Sequence, residues 1–260
     1  MSLVRVVRDG PVLRVALSRP EARNALSAAL VAELGQVFSE QAADASVRCV
    51  VLSGDGADFC AGADLADMQR LGSADFAENL ADAERLSATF RALHDFPRPV
   101  VARVQGNVFG GGAGLVCACD IAVVAKDARF AFSEVRLGIL PAIISPYVVR
   151  RIGEANARRL FLTGERFDGV RAAEIGLCAA CVDAAELDLA LERIVEEMLK
   201  GSPDAQRRIK ALLDNVTDVP LAASTRRVPR FIAEARASEE GQEGLRAFLE
   251  KRRPKWASGD

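Results

Sequence analysis

The run Gly110-Gly111-Gly112, within the segment 106–114, constrains this chain more than any other feature of its sequence. Glycine has no Cβ atom, so the backbone there can adopt positive φ and a large group can approach the main chain directly. An apolar strand-like run precedes the glycines and an apolar helix-like run follows them. A helix that begins at Gly112 would direct free N–H groups at a phosphate, or at an oxygen that becomes negative during a reaction. The alternative is a turn that only lets the strand and the helix pack closely.

Composition excludes several classes of protein. The chain has 260 residues, of which 50% are apolar and 27% charged, as expected for a globular protein with a full core. Its 34 basic and 36 acidic residues give a net charge of −2, which creates no global attraction to nucleic acid or to an anionic membrane. No apolar run has the length of a membrane span and no signal-peptide pattern is present, so we expect a cytoplasmic protein.

Cysteine and histidine usage argues against metal and nucleophilic chemistry. The six cysteines lie mostly in apolar runs, which predicts buried, reduced thiols. Cys178 and Cys181 have the spacing of a redox or zinc pair, but there is no second pair at ligand spacing and His94 is the only histidine. We therefore expect no metal site and no Ser-His or Cys-His catalytic pair.

Hydrophobic periodicity predicts strands and helices that alternate along the chain, which is typical of the α/β class. Residues 66–74 read as a polar loop that could close over a site. A long amphipathic helix is expected from Asp75, and the region after Pro141 is expected to be largely helical. Strands are predicted at 12–17, 47–53, 100–104, 121–125 and 177–182.

Glu134 is an isolated acid in an apolar neighbourhood, residues 133–141. Buried carboxylates are rare without a reason, which makes Glu134 a candidate general acid or base. The alternative is a salt bridge, for which Arg136 is the nearest partner in sequence. Asp120 and His94 are interpreted as structural residues.

Four motifs in this order resemble the crotonase superfamily, the enoyl-CoA hydratases and isomerases. They are Phe-Cys-Ala-Gly-Ala-Asp-Leu at 59–65, the glycine run at 110–112, Cys-Asp-Ile at 119–121 and Phe-Ser-Glu-Val-Arg-Leu-Gly at 132–138. The likeness extends from Arg19 to Arg252. Residues 133–153 are most similar to the methylglutaconyl-CoA hydratase subgroup of leucine and isoprenoid breakdown.

The resemblance implies an α/β fold: a spiral of ββα units over residues 1–195, then a helical trimerisation region over 196–260. It implies self-association to a trimer or a dimer of trimers. It also implies a backbone oxyanion hole for the thioester oxygen at Ala63 and Gly111, with Glu134 matching the second of two glutamates usual in hydratases. Gly114 stands where the first glutamate is expected. The substrate-binding residues that it implies are Arg23, Ala25, Asp64, Leu65, Ala66 and Gly114, with Arg23 as a phosphate contact.

These expectations favour reversible hydration of a branched, dicarboxylic enoyl-CoA, with Glu134 performing both proton transfers. No cofactor is expected, because coenzyme A enters as part of the substrate. One alternative is a Δ3,Δ2-enoyl-CoA isomerase that uses Glu134 alone; another is a non-catalytic acyl-CoA-binding scaffold, suggested by Gly114. A distal carboxylate would need a cation, for which Arg70, Arg103 and Arg136 are the candidates.

Overall fold

The computed structural model describes residues 2–217 and 219–257. The predicted regions 1–195 and 196–260 also include Met1, Asp218 and 258–260, which lie outside the described residues. The strands are β1 (Val4–Asp9), β2 (Val12–Leu17), β3 (Cys49–Gly54), β4 (Val100–Val104), β5 (Asn107–Phe109), β6 (Ile121–Ala125), β7 (Arg129–Ala131), β8 (Arg166–Asp168) and β9 (Ala180–Val182).

The helices alternate with these strands up to β9, and only helices follow it within the described residues. They are α1 (Ala28–Gln41), α2 (Leu65–Gly72), α3 (Phe76–His94), α4 (Gly111–Ala118), α5 (Ser145–Thr163), α6 (Gly169–Glu174), α7 (Leu187–Leu199), α8 (Pro203–Val216), α9 (Leu221–Ala237) and α10 (Glu239–Leu249). None of the helices in this part of the chain is long and apolar enough to cross a membrane.

A six-stranded sheet in the order β1-β2-β3-β4-β6-β9 forms the centre of the molecule. β1 pairs antiparallel with β2, whereas the other neighbours are parallel. β3, β4 and β6 are almost continuously apolar and buried, as expected for parallel strands covered on both faces. β5, β7 and β8 form a separate three-stranded sheet. This architecture confirms the predicted α/β class.

The polar loop predicted at 66–74 is wrong, because helix α2 occupies most of it. Asp64 caps this helix: its carboxylate accepts hydrogen bonds from the N–H groups of Ala66 and Asp67. An aspartate at this position satisfies amides that have no acceptor inside the helix, which stabilises a short helix by about 1 kcal/mol. The same carboxylate accepts from the Arg19 guanidinium at 3.0 Å, so α2 is tied to the turn before α1.

Candidate active site

Two small-residue segments meet at the start of α4. The Cys60 N–H donates to the Asn107 carbonyl at 3.1 Å, and the Phe109 N–H donates back to the Cys60 carbonyl at 3.0 Å. A Cβ atom built on Gly112 would lie 2.5 Å from the Cys60 carbonyl oxygen, so only glycine allows this approach. The glycine run therefore holds the first turn of α4 directly against the segment 59–63.

The juxtaposition leaves two backbone N–H groups beside one cleft. The Leu26 N–H donates to the Gly62 carbonyl at 2.8 Å and the Asp64 N–H donates to the Leu26 carbonyl at 3.3 Å. This parallel bridge directs the N–H of Ala63 to the opposite side, where it has no acceptor among the described residues. Gly111 is the first residue of α4, so its N–H has no acceptor within the helix. Ala63 and Gly111 both line the cleft.

The cleft has a volume of about 510 Å³ and is bounded by α1, α2, α3, the start of α4 and the segment after Glu134. Its walls are mainly apolar, which suits an acyl chain. The apolar lining residues are Leu26, Ala28, Val31, Met68, Leu71, Ala83, Leu86, Ile139, Leu140, Pro141, Ala142, Ile143 and Ile144.

Glu134 lies in the same cleft, at the start of a 3-10 helix (Glu134–Leu137) that follows β7. A Cβ atom on Gly110 would lie 3.1 Å from the Glu134 Oε1 atom, and Gly110 has a φ of +48°, so a side chain there would be strained as well as crowded. Burial raises the pKa of the Glu134 carboxyl above its ordinary value. Its Oε2 atom is buried and has no hydrogen-bond partner among the described residues. The carboxyl is therefore available to exchange a proton with a bound molecule.

The alternative interpretation of Glu134, a salt bridge to Arg136, is wrong. No ion pair joins these two side chains in the part of the chain that the structure describes. Arg136 is exposed and its guanidinium packs beside Gly164, at the end of α5, instead of lining the cleft.

Gly114 is one helical turn after Gly111 and is fully covered. A Cβ atom there would lie 2.2 Å from Ile144 Cγ2 and 2.9 Å from Phe90 Cε1. The space that a longer side chain at this position would occupy is filled by two apolar side chains, and Ile144 also forms part of the cleft wall. Glu134 therefore has no second carboxylate opposite it on α4.

Of the other predicted substrate-binding residues, Asp64 lines the cleft, and Arg23, Ala25, Leu65 and Ala66 do not. Leu65 and Ala66 are exposed on the first turn of α2. Arg23 is exposed, with its Nε atom 4.0 Å from the Asp58 carboxylate. Ala25 is 9% exposed. Arg23 and the buried Asn24 both have positive φ, and the Asn24 side chain bonds three backbone groups, which fixes the turn into α1.

None of the three cations predicted for a distal carboxylate lines the cleft. Arg103 bonds Asp188 at 2.5 Å, and Arg70 is surrounded by the carboxylates of Asp67, Glu78 and Asp82. The cation that lines the cleft is Arg85 on α3, which the sequence analysis missed. The signal was present in the helical spacing of Asn79, Asp82, Ala83 and Leu86, which marks the face of α3 that borders the cleft.

The residues interpreted as structural are engaged in packing and backbone contacts. His94 packs edge-on against Tyr147, with ring centroids 5.4 Å apart. Asp120 accepts hydrogen bonds from the Val100 N–H at 2.7 Å and from Lys210 Nζ at 2.8 Å. The cysteines are free thiols, of which Cys178 and Cys181 are half-buried and the rest buried. No group of three potential metal ligands occurs within the described residues.

Comparison with known proteins gives one consistent result. Residues 8–259 match the profile of a family described as enoyl-CoA hydratase/isomerase. A relative from Escherichia coli (strain K12), 2,3-dehydroadipyl-CoA hydratase, is 34% identical over 258 residues, which cover 98% of this chain and 98% of the relative.

Solved structures agree with the sequence relatives. Pseudomonas aeruginosa AtuE superposes with a TM-score of 0.94 and 41% identity, over 99% of this chain and 100% of its own. An enoyl-CoA hydratase from Shewanella pealeana ATCC 700345 superposes with a TM-score of 0.95 and 38% identity, over 98% of this chain and 96% of its own. The match therefore covers the fold from end to end and not one motif alone.

Proposed function

The chain belongs to the enoyl-CoA hydratase/isomerase family and is an enzyme acting on acyl-CoA thioesters, and from this premise we propose that it hydrates a methylglutaconyl-CoA-like dicarboxylic enoyl-CoA reversibly. Glu134 acts as the acid and base, and the Ala63 and Gly111 amides form the oxyanion hole. The observation that supports this assignment is the half-buried Glu134 side chain, whose Oε2 atom is buried without a hydrogen-bond partner among the described residues, beside the glycine run that presents a free amide to the same cleft.

In the hydration direction, the Glu134 carboxylate takes a proton from water while the oxygen of that water adds to C3 of the enoyl group. The electrons of the double bond move to the thioester carbonyl, whose oxygen becomes negative as an enolate. The two amides hold that oxygen. The protonated Glu134 then delivers its proton to C2, and the 3-hydroxyacyl thioester is complete. Dehydration follows the same steps in reverse.

Electrostatic stabilisation supplies much of the proposed rate. Losing one oxyanion donor costs about 2.7–4 kcal/mol in enzymes where it has been removed, and a positioned acid or base contributes roughly 10²–10⁴-fold. The α4 N-terminus adds its dipole to the Gly111 amide, in the direction that favours a negative oxygen. The proposed chemistry needs no group beyond the thioester, water and these residues.

A substrate with a second carboxylate is supported by two facts. The Escherichia coli relative is named for 2,3-dehydroadipyl-CoA, a dicarboxylic thioester. The cleft wall contains a cation among its apolar residues, which an unbranched fatty acyl chain would not need.

The decisive experiment presents the purified enzyme with 3-methylglutaconyl-CoA, crotonyl-CoA and a 3-enoyl-CoA in parallel. Products are identified by mass and by the change in conjugated-thioester absorbance. We expect water to add to 3-methylglutaconyl-CoA faster than to crotonyl-CoA. If neither 2-enoyl substrate is hydrated, the proposed hydratase function is overturned. Tight binding of these thioesters without any turnover would indicate a non-catalytic scaffold.

An isomerase is the second candidate, and the packing of Gly114 favours it. Moving a proton between C2 and C4 needs one shuttle and an oxyanion hole, and Glu134 is the one carboxyl of the cleft lining without a hydrogen-bond partner among the described residues. In the experiment above, migration of the double bond in the 3-enoyl-CoA without a hydroxyacyl product would identify this activity.

We also propose that the C-terminal helices mediate assembly into a trimer or a dimer of trimers. An apolar groove of about 600 Å³ lies between α8 and α9, and Ile209 and Ile232 on its walls are exposed in the single chain. Burial of such a face against a second copy is favourable by about 25 cal/mol per Å². Light scattering should report three or six times the chain mass of 27.8 kDa.

A further inference from the structure

Arg85 is the single basic side chain that lines the active-site cleft among the described residues. The rest of the lining is apolar, apart from Asn79, Asp64, Asp67, Asp82 and Glu134. A half-exposed guanidinium on the wall of an otherwise apolar or acidic cleft is the one group there that can bind an anionic part of a ligand.

The acids of the wall are already engaged. Asp64 accepts hydrogen bonds from Arg19 and from the first turn of α2. Asp67 accepts from the Ala28 N–H at 2.7 Å and from the Arg70 guanidinium at 3.4 Å. These contacts hold the two carboxylates in structural positions and leave neither of them in contact with Arg85.

Asp82 is the one acid that contacts Arg85, and it has a second cation. Arg85 Nη2 lies 3.1 Å from Asp82 Oδ1, while Arg70 Nη2 lies 3.7 Å from the same oxygen. Nε and Nη1 of Arg85 form no hydrogen bond or ion pair with a described side chain, and the Arg85 side chain is 56% exposed. Arg85 can therefore turn to a ligand, since Asp82 keeps Arg70 as a partner.

Helix α3 connects Arg85 to the reacting end of the cleft. Phe90 on this helix packs against Gly114, one turn below the Gly111 amide. Arg85 lies five residues before Phe90, which is about 7.5 Å along the helix axis. Leu86, on the same face, lines the cleft beside it. Arg85 thus lines the cleft from α3, whereas the amides of Ala63 and Gly111 belong to the segment 59–63 and to the start of α4, so the guanidinium and the two amides lie on different elements of the cleft wall.

We propose that Arg85 binds the carboxylate at the distal end of the acyl chain and so makes the enzyme selective for dicarboxylic enoyl-CoA thioesters. A guanidinium can pair with a carboxylate through two parallel N–H donors, and two nitrogens of Arg85 have no hydrogen-bond partner among the described side chains. This inference rests on the proposed function, and it assigns selectivity to a residue that takes no part in the proton transfers.

The test uses two thioesters that differ only at the distal position. In 3-methylglutaconyl-CoA the chain ends in a carboxylate, and in 3-methylpent-2-enoyl-CoA a methyl group replaces it. Both are assayed for hydration with the full-length enzyme and with Arg85→Gln. We expect the variant to lose about 10- to 100-fold in kcat/KM for the dicarboxylic thioester, mainly through KM, and to change less than about twofold for the other.

Two further variants separate ligand binding from structural effects. Arg70→Gln removes the other cation that contacts Asp82 but lies outside the cleft lining, so it should leave the ratio between the two substrates unchanged. Arg85→Lys retains a positive charge without the planar pair of donors, and should recover part of the selectivity. Melting temperatures of all variants establish that the fold is retained.

The outcomes distinguish the two hypotheses. If the wild-type enzyme hydrates neither thioester, the proposed hydratase function fails. If it hydrates both equally well, or if Arg85→Gln lowers both by the same factor, the hydratase function stands and the role of Arg85 is overturned. The role of Arg85 would also be overturned if Arg70→Gln lowered the ratio of kcat/KM between the two thioesters as much as Arg85→Gln does. The loss of selectivity would then come from the change at Asp82, which both arginines contact.

Discussion

Ile144 occupies the space next to Gly114: a Cβ atom at position 114 would lie 2.2 Å from Ile144 Cγ2 and 2.7 Å from Ile144 Cβ. Real Cβ atoms do not approach so closely, so the two positions are coupled. Ile144 is 3% exposed and lies at the end of the segment that begins with Glu134. Ile144 therefore leaves no space for an acidic side chain at position 114, and replacing Gly114 alone does not create that space.

Position 114 should tolerate a larger side chain only if Ile144 is made smaller. Gly114→Glu alone should be destabilised by more than the roughly 1–3 kcal/mol that is common for overpacking, because it also buries a carboxylate. In Gly114→Glu with Ile144→Ala, the new side chain should fill the space that the isoleucine leaves. We expect the double variant to be more stable than the sum of the single changes predicts, as measured by chemical denaturation.

Ile144→Ala alone is the matched control for that cycle. It should cost about 2–5 kcal/mol, because it leaves a cavity between Phe90 and Gly114. Strict additivity of the two single changes would contradict the coupling. Activity of the double variant is informative too, since a second carboxylate beside the cleft should raise hydration of crotonyl-CoA if the enzyme is a hydratase.

Glu134→Gln should lose catalysis and gain stability. Without a group that accepts and returns a proton, kcat should fall by roughly 10²–10⁴-fold for the proposed substrate. Burial raises the pKa of the Glu134 carboxyl in the folded state, so the protein retains the stabilising effect of the protonated form only below the unfolded-state pKa and loses it as the pH rises through the folded-state value. Glutamine does not ionise, so the variant avoids the free-energy cost of a buried negative charge that the wild type has above that pH.

The melting temperature of Glu134→Gln should therefore exceed that of the wild type at about pH 8, and the difference should shrink as the pH falls toward about 4, near the ordinary glutamate pKa. Glu21→Gln is the control, since Glu21 is exposed and does not line the cleft. It should change neither activity nor the melting temperature. A Glu134→Gln enzyme that retained most of its turnover would remove Glu134 from the mechanism.

The same shift predicts the pH dependence of the wild-type enzyme. Hydration begins with an ionised Glu134, so kcat/KM should increase with pH through the raised pKa of that carboxyl. The midpoint of this increase should lie above the ordinary glutamate pKa of about 4.3. Asp64, another acid of the cleft lining, has a pKa below its ordinary value. Burial alone would raise that pKa, but the hydrogen bonds from Arg19 and from the α2 amides lower it by more. A midpoint below about 4 would therefore point to Asp64 and contradict Glu134.

The sequence was sufficient to predict the parts of the fold that depend on local patterns. The apolar runs of β3, β4 and β6 and the glycine run before α4 can be read from neighbouring residues. Helix α2 was missed although Leu65, Met68 and Leu71 recur at helical spacing, because the segment is short and its start is fixed by the Asp64 cap and the bond from Arg19 to Asp64.

Contacts between distant segments explain what the sequence could not predict at the site. Ile144 covers Gly114 from thirty residues away in the chain, and no spacing rule relates the two positions. In the sequence, Arg85 is one of many charged residues on an amphipathic helix, and only the folded structure shows that it lines the cleft. The set of residues that lines the cleft therefore depends on tertiary packing, whereas the glycine-rich segment before α4 can be recognised in the sequence alone.

The approach of Gly112 to Cys60 should be essential for the oxyanion hole. In Gly112→Ala the new methyl group would lie 2.5 Å from the Cys60 carbonyl oxygen and 2.8 Å from the Cys60 Cβ atom, so α4 must move away from the segment 59–63. That movement separates the Gly111 amide from the Ala63 amide, and we expect kcat to fall by roughly 10²–10³-fold, as after loss of one oxyanion donor. Gly72→Ala is the matched control for adding a methyl group to the cleft wall, because Gly72 also lines the cleft but a Cβ atom there has no heavy atom within 4 Å beyond its chain neighbours and local helix backbone. It should leave kcat and the melting temperature nearly unchanged, and a Gly112→Ala enzyme with equally unchanged kcat would show that the two amides do not act together.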